Sequence, residues 1–169
     1  MKKLVTITLA LVTLMLIPIQ INAEEDRYLG NLKIAGTNID VDLYWFGSYE
    51  TSLAQACVNQ RNNAVFQDFS FEYGYDVVPL IADHRNQGFD ELYDVIEGET
   101  IATITYADGS SKDYICREKD RCGTNDDVHI MDSYGNNSVL KYPSDWIAIY
   151  TCNPEGWWSI TITFWEPIY

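Results

Sequence analysis

Ile39, Val41, Leu43 and Trp45 alternate with Asp40, Asp42 and Tyr44. Successive side chains of a strand point to opposite faces, so this period-2 pattern predicts a half-buried strand and excludes an amphipathic helix. The pattern recurs along the chain. Thr100 to Tyr106 runs into the turn Ala107-Asp108-Gly109-Ser110, and Asp113 to Cys116 returns, which reads as a hairpin. Ile147 to Thr151 and Ser159 to Trp165 form two further strands, joined by Asn153-Pro154-Glu155-Gly156. Leu32 to Ile34 is a shorter one. Asp76 to Val78 and Leu80 to Ala82 make an apolar strand interrupted by Pro79, the mark of an edge or a bulge.

Helix is confined to scraps. Ser52 to Val58 predicts a short one capped by Thr51 or Ser52, and Phe89 to Val95 predicts one or two turns. Residues 118 to 138 are polar apart from Val128 to Met131, and no repeat, low-complexity tract or linker is present. Seven or eight short strands with little helix predict a mostly all-β domain, an antiparallel barrel or sandwich.

The N-terminus reads as a targeting segment. Lys2 and Lys3 precede an uncharged stretch from Leu4 to Ile19, and Ala23 stands just before Glu24-Glu25-Asp26. The stretch is shorter than the ~20 residues of a spanning helix. We therefore expect residues 1–23 to be a cleaved signal peptide, the alternative being a retained anchor. Residues 24–169 are then a single domain that is secreted or held at the cell envelope. Without Lys2 and Lys3 the chain has nine basic and 25 acidic residues, a net charge of −16. That excludes nucleic-acid binding by phosphate neutralisation and disfavours docking on anionic lipid. It predicts a soluble monomer kept apart by self-repulsion, with no stable membrane binding once the signal is removed.

Four cysteines allow three disulfide pairings of two bridges. Cys116 and Cys122 bracket the polar run Arg117-Glu118-Lys119-Asp120-Arg121 and are the expected bridge. Cys57 and Cys152 then either pair with each other, or Cys152 is a working thiol and Cys57 a buried small hydrophobe. The cysteine spacing does not make a zinc knuckle, and no His-x-x-x-His run follows. Asp40/Asp42 and Asp126/Asp127 lack the spaced calcium loop and read as solvated faces. His129 reads as a surface residue. The sequence calls for no metal and no cofactor.

Two strand ends carry the chemistry. Leu80-Ile81-Ala82 leads to Asp83-His84, and Ile147 to Thr151 leads to Cys152. A thiol becomes a good nucleophile as its thiolate, and an imidazole can take and return the proton. Trp157 and Trp158 follow Cys152, and adjacent strand residues face opposite ways. At least one of them is therefore a candidate for the wall of a peptide or sugar groove, whereas Trp45 and Trp165 read as core or groove.

In order, the chain has a strand leading to His84, then Gly88-Phe89 and Leu92. Val95-Ile96-Glu97-Gly98-Glu99-Thr100-Ile101, Tyr114, a strand ending in Thr151-Cys152, and a closing strand follow. This pattern resembles the sortases, exported cysteine transpeptidases of Gram-positive bacteria, over roughly Gly30 to Tyr169. The resemblance implies a closed β-barrel with Cys152 as nucleophile and His84 as general acid and base. It implies a thioester intermediate, a peptide sorting signal as substrate and a cell-wall or pilin amine as acceptor. Such enzymes carry an arginine on the last strand that steadies the oxyanion, but nothing after Cys152 is basic here. Thr161 falls nearest that position, and Arg85 and Arg117 are possible substitutes. Losing one oxyanion donor typically costs about 3 kcal/mol of transition-state stabilisation. Asp83 replaces the glycine common before the histidine; it would either hold His84 protonated or face solvent. The departures leave two other readings, a sortase-fold module that grips wall peptide or glycan without turnover, and a simple cysteine peptidase.

Overall fold

The computed structural model describes residues 27–47, 50–70, 77–124, 130–131, 140–154 and 156–169. The expected signal peptide, His129 and the Asp126/Asp127 pair lie outside them.

The alternating segments form strands. In chain order they are β1 (Tyr28–Ile34), β2 (Asp40–Gly47), β3 (Asn63–Asp68), β4 (Leu80–Ala82), β5 (Ile101–Tyr106), β6 (Ser111–Thr124), β7 (Ile130–Met131), β8 (Ile147–Asn153) and β9 (Gly156–Pro167). Eight of them close a mixed barrel in the order β5-β1-β2-β3-β4-β8-β9-β6, with β6 returning to β5 and β7 appended to β6. Two of the pairings, β2–β3 and β4–β8, are parallel. Closure leaves the barrel strands without a raw edge. It also demands a close approach at Gly30, where a Cβ would come within 2.0 Å of the Thr105 carbonyl oxygen on β5.

Alternation sorts the side chains onto two faces. Ile147 and Ile149 point into the lumen with Leu43, Ile81, Ile104 and Trp165. Ala148 points outward with Leu80, Ile160, Ile162 and Phe164. On the same outer surface α1 (Thr51–Val58) seats Ala54, Cys57 and Val58 against Phe46, Val65, Ala82 and Tyr150. Neither Thr51 nor Ser52 caps this helix. Glu50 holds the cap position without a side-chain cap bond. Its carboxylate goes instead to Arg27, at 2.8 and 2.7 Å, and to the Gly47 N–H at 2.9 Å.

The expected Cys116–Cys122 disulfide does not form; all four cysteines are thiols. The run between Cys116 and Cys122 is not a loop but the middle of β6. Six residues of extended chain span roughly 20 Å at ~3.3 Å each, whereas a bridge needs Cα atoms within ~7 Å. A register shift between Cys116 and Glu118 also turns the strand over. Cys116 therefore faces the lumen and Cys122 the outer cluster. Cys57 lies on the buried face of α1, and it is not bridged to Cys152 either.

Candidate active site

β4 and β8 run side by side in the same direction, with Ala82 opposite Tyr150. Both therefore end at one rim of the barrel. Two residues beyond that pair stand His84 and Cys152. The contact between the chains continues past the end of β4, because Thr151 Oγ1 donates to the Asp83 carbonyl oxygen at 2.9 Å. Side chains two apart on a strand share a face, so Cys152 follows Tyr150 onto the outer surface, and the His84 ring, past the end of β4, meets Gln55 and Asn59 of α1 on that surface. Neighbouring strands lie about 4.8 Å apart. The pairing thus sets the His84 and Cys152 backbones at corresponding positions, two residues beyond the Ala82–Tyr150 pair, at that rim.

At rest the two are not engaged with each other. His84 Nε2 lies 3.0 Å from Gln55 Nε2 and 3.0 Å from Asn59 Oδ1, both reached from α1 and its C-cap. A single ring nitrogen either accepts from the amide or donates to the carbonyl oxygen, so the tautomer selects one of these bonds. Cys152 is half-buried, and burial pushes its thiol above the ordinary range. Tyr150, two residues earlier on the same face, is raised by burial first and by Cys152 second.

The backbone of Cys152 is fixed by a polar network. Tyr93 Oη stands 2.9 Å from the Cys152 carbonyl oxygen and 3.0 Å from Asn153 Oδ1, with one proton to share between them. Asn153 Oδ1 also accepts from Thr161 Oγ1 at 2.7 Å, and Asn153 Nδ2 donates to Ser159 Oγ at 2.7 Å. Arg121 Nε donates to the same Ser159 oxygen at 3.1 Å. Lys119 Nζ anchors the other side of the network through the Tyr93 and Val95 carbonyls, at 2.8 and 2.9 Å.

This network places the expected oxyanion donor. Thr161 pairs with Thr151, whereas Cys152 pairs with Ile160. Thr161 therefore lies on the face opposite Cys152, and its hydroxyl is directed to Asn153. Arg85 is exposed. Arg117 pairs with Glu166 at 2.6 Å, near the far end of β9. Arg121, in register with Thr161 on β6, is the basic residue that the strand pairing brings nearest. Sequence reading missed it, together with Tyr93, Asn153, Gln55 and Asn59. The contacts that bring Gln55, Asn59 and Tyr93 to the site span 25 to 60 residues of chain and leave no local pattern. Trp157 and Trp158 lie in β9, with side chains outside the described part. Trp165 is core, and Trp45 is 43 % exposed on β2.

Asp83 takes neither of its expected positions. It is 3 % exposed, and its Oδ1 accepts the His84 backbone N–H at 2.6 Å. Its Oδ2 is buried without a hydrogen-bond partner. Burial, opposed only by the His84 N–H, pushes the carboxyl up to about 8. Gly88 closes over it. A Cβ there would lie 2.4 Å from Asp83 Oδ2 and 2.8 Å from Val41 Cγ1.

Among the described residues no group of three or more His, Cys, Asp or Glu is placed to hold a metal ion. None of their helices is long and apolar enough to cross a membrane. A cavity of about 240 Å³ lined by Phe66, Asp68, Ser70, Val77, Pro79 and Ser144 opens at the start of β4, the end away from His84.

No protein-family model and no curated protein matches the chain. Solved structures do. Sortase C1 from Streptococcus suis is 14 % identical with a TM-score of 0.60, covering 86 % of this chain and 75 % of that one. Sortase C1 from Streptococcus agalactiae is 16 % identical with a TM-score of 0.58, covering 87 % and 70 %. Sortase C from Clostridium perfringens SM101 is 13 % identical with a TM-score of 0.55, covering 84 % and 70 %. At these identities the likeness is one of architecture, and by architecture the chain is a sortase-like barrel.

Proposed function

We propose that residues 24–169 form an exported cysteine acyltransferase that acts on a peptide at the cell envelope. Cys152 attacks the peptide carbonyl and holds the acyl group as a thioester. His84 protonates the departing amine and then takes the proton of the incoming nucleophile. An amine acceptor gives transpeptidation and water gives hydrolysis. One observation supports this reading: an unbridged, half-buried thiol and a histidine each lie two residues beyond the last paired residues, Tyr150 and Ala82, of two parallel strands. The sortase-like barrel and the N-terminal targeting pattern support it. A solved sortase C from Streptococcus pneumoniae is described by its catalysis and its pilin substrate specificity, which suggests a cell-wall or pilin amine as acceptor.

A second reading has its own observation. The thiol is raised by burial, and Nε2 of the imidazole is taken up by Gln55 and Asn59. That resting state suits a module that grips wall peptide or glycan without turnover. Apo catalytic geometry is often loose and tightens on substrate, so the two readings separate by reactivity. The rate of Cys152 alkylation against pH, with and without His84→Ala, tests them. A profile that changes with His84→Ala, and acyl transfer to an added amine, carries the enzyme. An inert thiol indifferent to His84 leaves the binding module.

A further inference from the structure

Asp83 presents a problem that the reaction does not absorb. Asp83 is only 3 % exposed, and a carboxyl so buried would ordinarily have both oxygens satisfied. Here Oδ1 takes the His84 N–H, but Oδ2 is buried without a hydrogen-bond partner, packed close to Gly88 and Val41. The oxygen lies close enough to Gly88 that any side chain there would force Asp83 or Val41 to move. A carboxylate anion so placed has no compensating cation, whereas a carboxylic acid is tolerated.

The charged and titratable groups around it offer no relief. On β2, Asp40 and Asp42 flank Val41 and point to the exposed side. In the turn that follows His84, Arg85 and Asp90 are exposed. On β8, Cys152 lies on the other face from Thr151, and the His84 ring is turned to Gln55 and Asn59. None of these acts on the carboxyl, whose affinity for its proton is set by burial and by the His84 N–H.

We propose that Asp83 is a positioning residue that docks the His84 segment as a neutral acid and lets it go on losing its proton. The neutral acid holds the His84 amide through Oδ1, while the Asp83 carbonyl is pinned to Thr151, one residue from Cys152. The His84 carbonyl oxygen in turn accepts from Gln87, Gly88 and Phe89, which folds the turn back over the carboxyl. Ionisation forces the charge toward water. The Oδ1 bond favours the anion but is outweighed by burial, so the carboxylate leaves its packed position, the bond breaks and the turn against which the imidazole is set loosens. The site then has an alkaline limit that belongs to Asp83 and not to Cys152 or His84. The role of this limit rests on the acyltransferase reading; the structural switch itself does not.

The chain has two histidines, His84 and His129, so each ring can be followed by NMR. The His84 resonance, assigned by its loss in His84→Gln, is tracked from pH 6 to pH 10 in the wild type and in Asp83→Asn. The expected result is an inflection near pH 8 in the wild type that the variant lacks. The Asp83 carboxyl carbon, observed directly in the wild type, is expected to report the neutral acid at pH 6. This second measurement decides even if Asp83→Asn does not fold. A carboxylate already ionised at pH 6, or an alkaline inflection that persists in Asp83→Asn, overturns the proposal. Absence of acyl transfer in the wild type sinks the acyltransferase reading and leaves the histidine titration to decide the switch.

Discussion

Thr151 gives its hydroxyl proton to the carbonyl oxygen of Asp83 at 2.9 Å, joining the residue before Cys152 to the residue before His84. Both Thr151 and Asp83 are buried, so the bond is shielded from water. It continues the β4–β8 contact past the last paired residues of β4 and sets the relative height of the two side chains.

Thr151→Val keeps the shape and removes the donor. The buried Asp83 carbonyl is left without this donor, which should destabilise the fold by about 1–3 kcal/mol. Chemical denaturation measures that loss. On the acyltransferase reading, transfer should fall by more than the unfolded fraction explains, because the rim spacing changes as well.

Tyr93→Phe removes the hydroxyl shared by the Cys152 carbonyl oxygen and Asn153 Oδ1. The expected loss is about 1 kcal/mol, the net worth of an ordinary hydrogen bond. Asn153 keeps its bonds to Thr161 and Ser159, so the barrel should stay intact by circular dichroism. A variant as stable as the wild type would show that the network does not hold Cys152.

Asp83 should leave a mark on stability as well as on His84. Its folded carboxyl titrates at about 8 and its unfolded one at 3.8. Between those limits the folded state holds a proton that the unfolded state has lost. The stabilisation is fully present below the lower value and is eroded as pH rises to the upper one. The slope is about 1.4 kcal/mol per pH unit. Asp83→Asn should remove that share of the slope, as read from denaturation midpoints across the same range. Identical slopes in the two proteins would contradict the burial argument.

Gln55 and Asn59 hold one nitrogen of His84. Replacing both by Ala should release the ring toward the thiol and lower the pH midpoint of Cys152 alkylation. The wild-type midpoint should sit above the ordinary thiol range, since burial raises it. An unchanged midpoint in the double variant would mean that α1 does not restrain the imidazole.

Denatured without reductant, the chain should take up four alkyl groups, one for each cysteine, as counted by mass. Reductant should leave its melting temperature unchanged. Fewer than four adducts would restore a bridge that the strand geometry of β6 excludes.

What was legible in the sequence follows from how locally each feature is determined. β2 and the β5–β6 hairpin show in their alternation and in the turn at Asp108-Gly109. β3 does not, because Ala64-Val65-Phe66 is a short apolar run in polar surroundings that becomes a strand by pairing with β2 and β4. The middle of β6 reads as a loop because its five residues are charged. It stays extended because β9 pairs with its backbone while partners elsewhere take up its charges. Arg117 meets Glu166, Lys119 meets two carbonyls, and Glu118 meets Lys141 and Tyr142. His84 and Cys152 stood out because both end strands. The residues that restrain them come from other elements, and only the closed barrel brings them near.

The parallel alliance of β4 with β8 joins segments that about 70 residues of chain keep apart. Contacts of that separation are slow to form, since the entropy of closing so large a loop opposes them. The strand ends that carry sulfur and imidazole are thus strangers in the nascent polypeptide, and they reach one rim only when the fourth and eighth strands pair. Whatever reactivity they share is withheld until the molecule is finished.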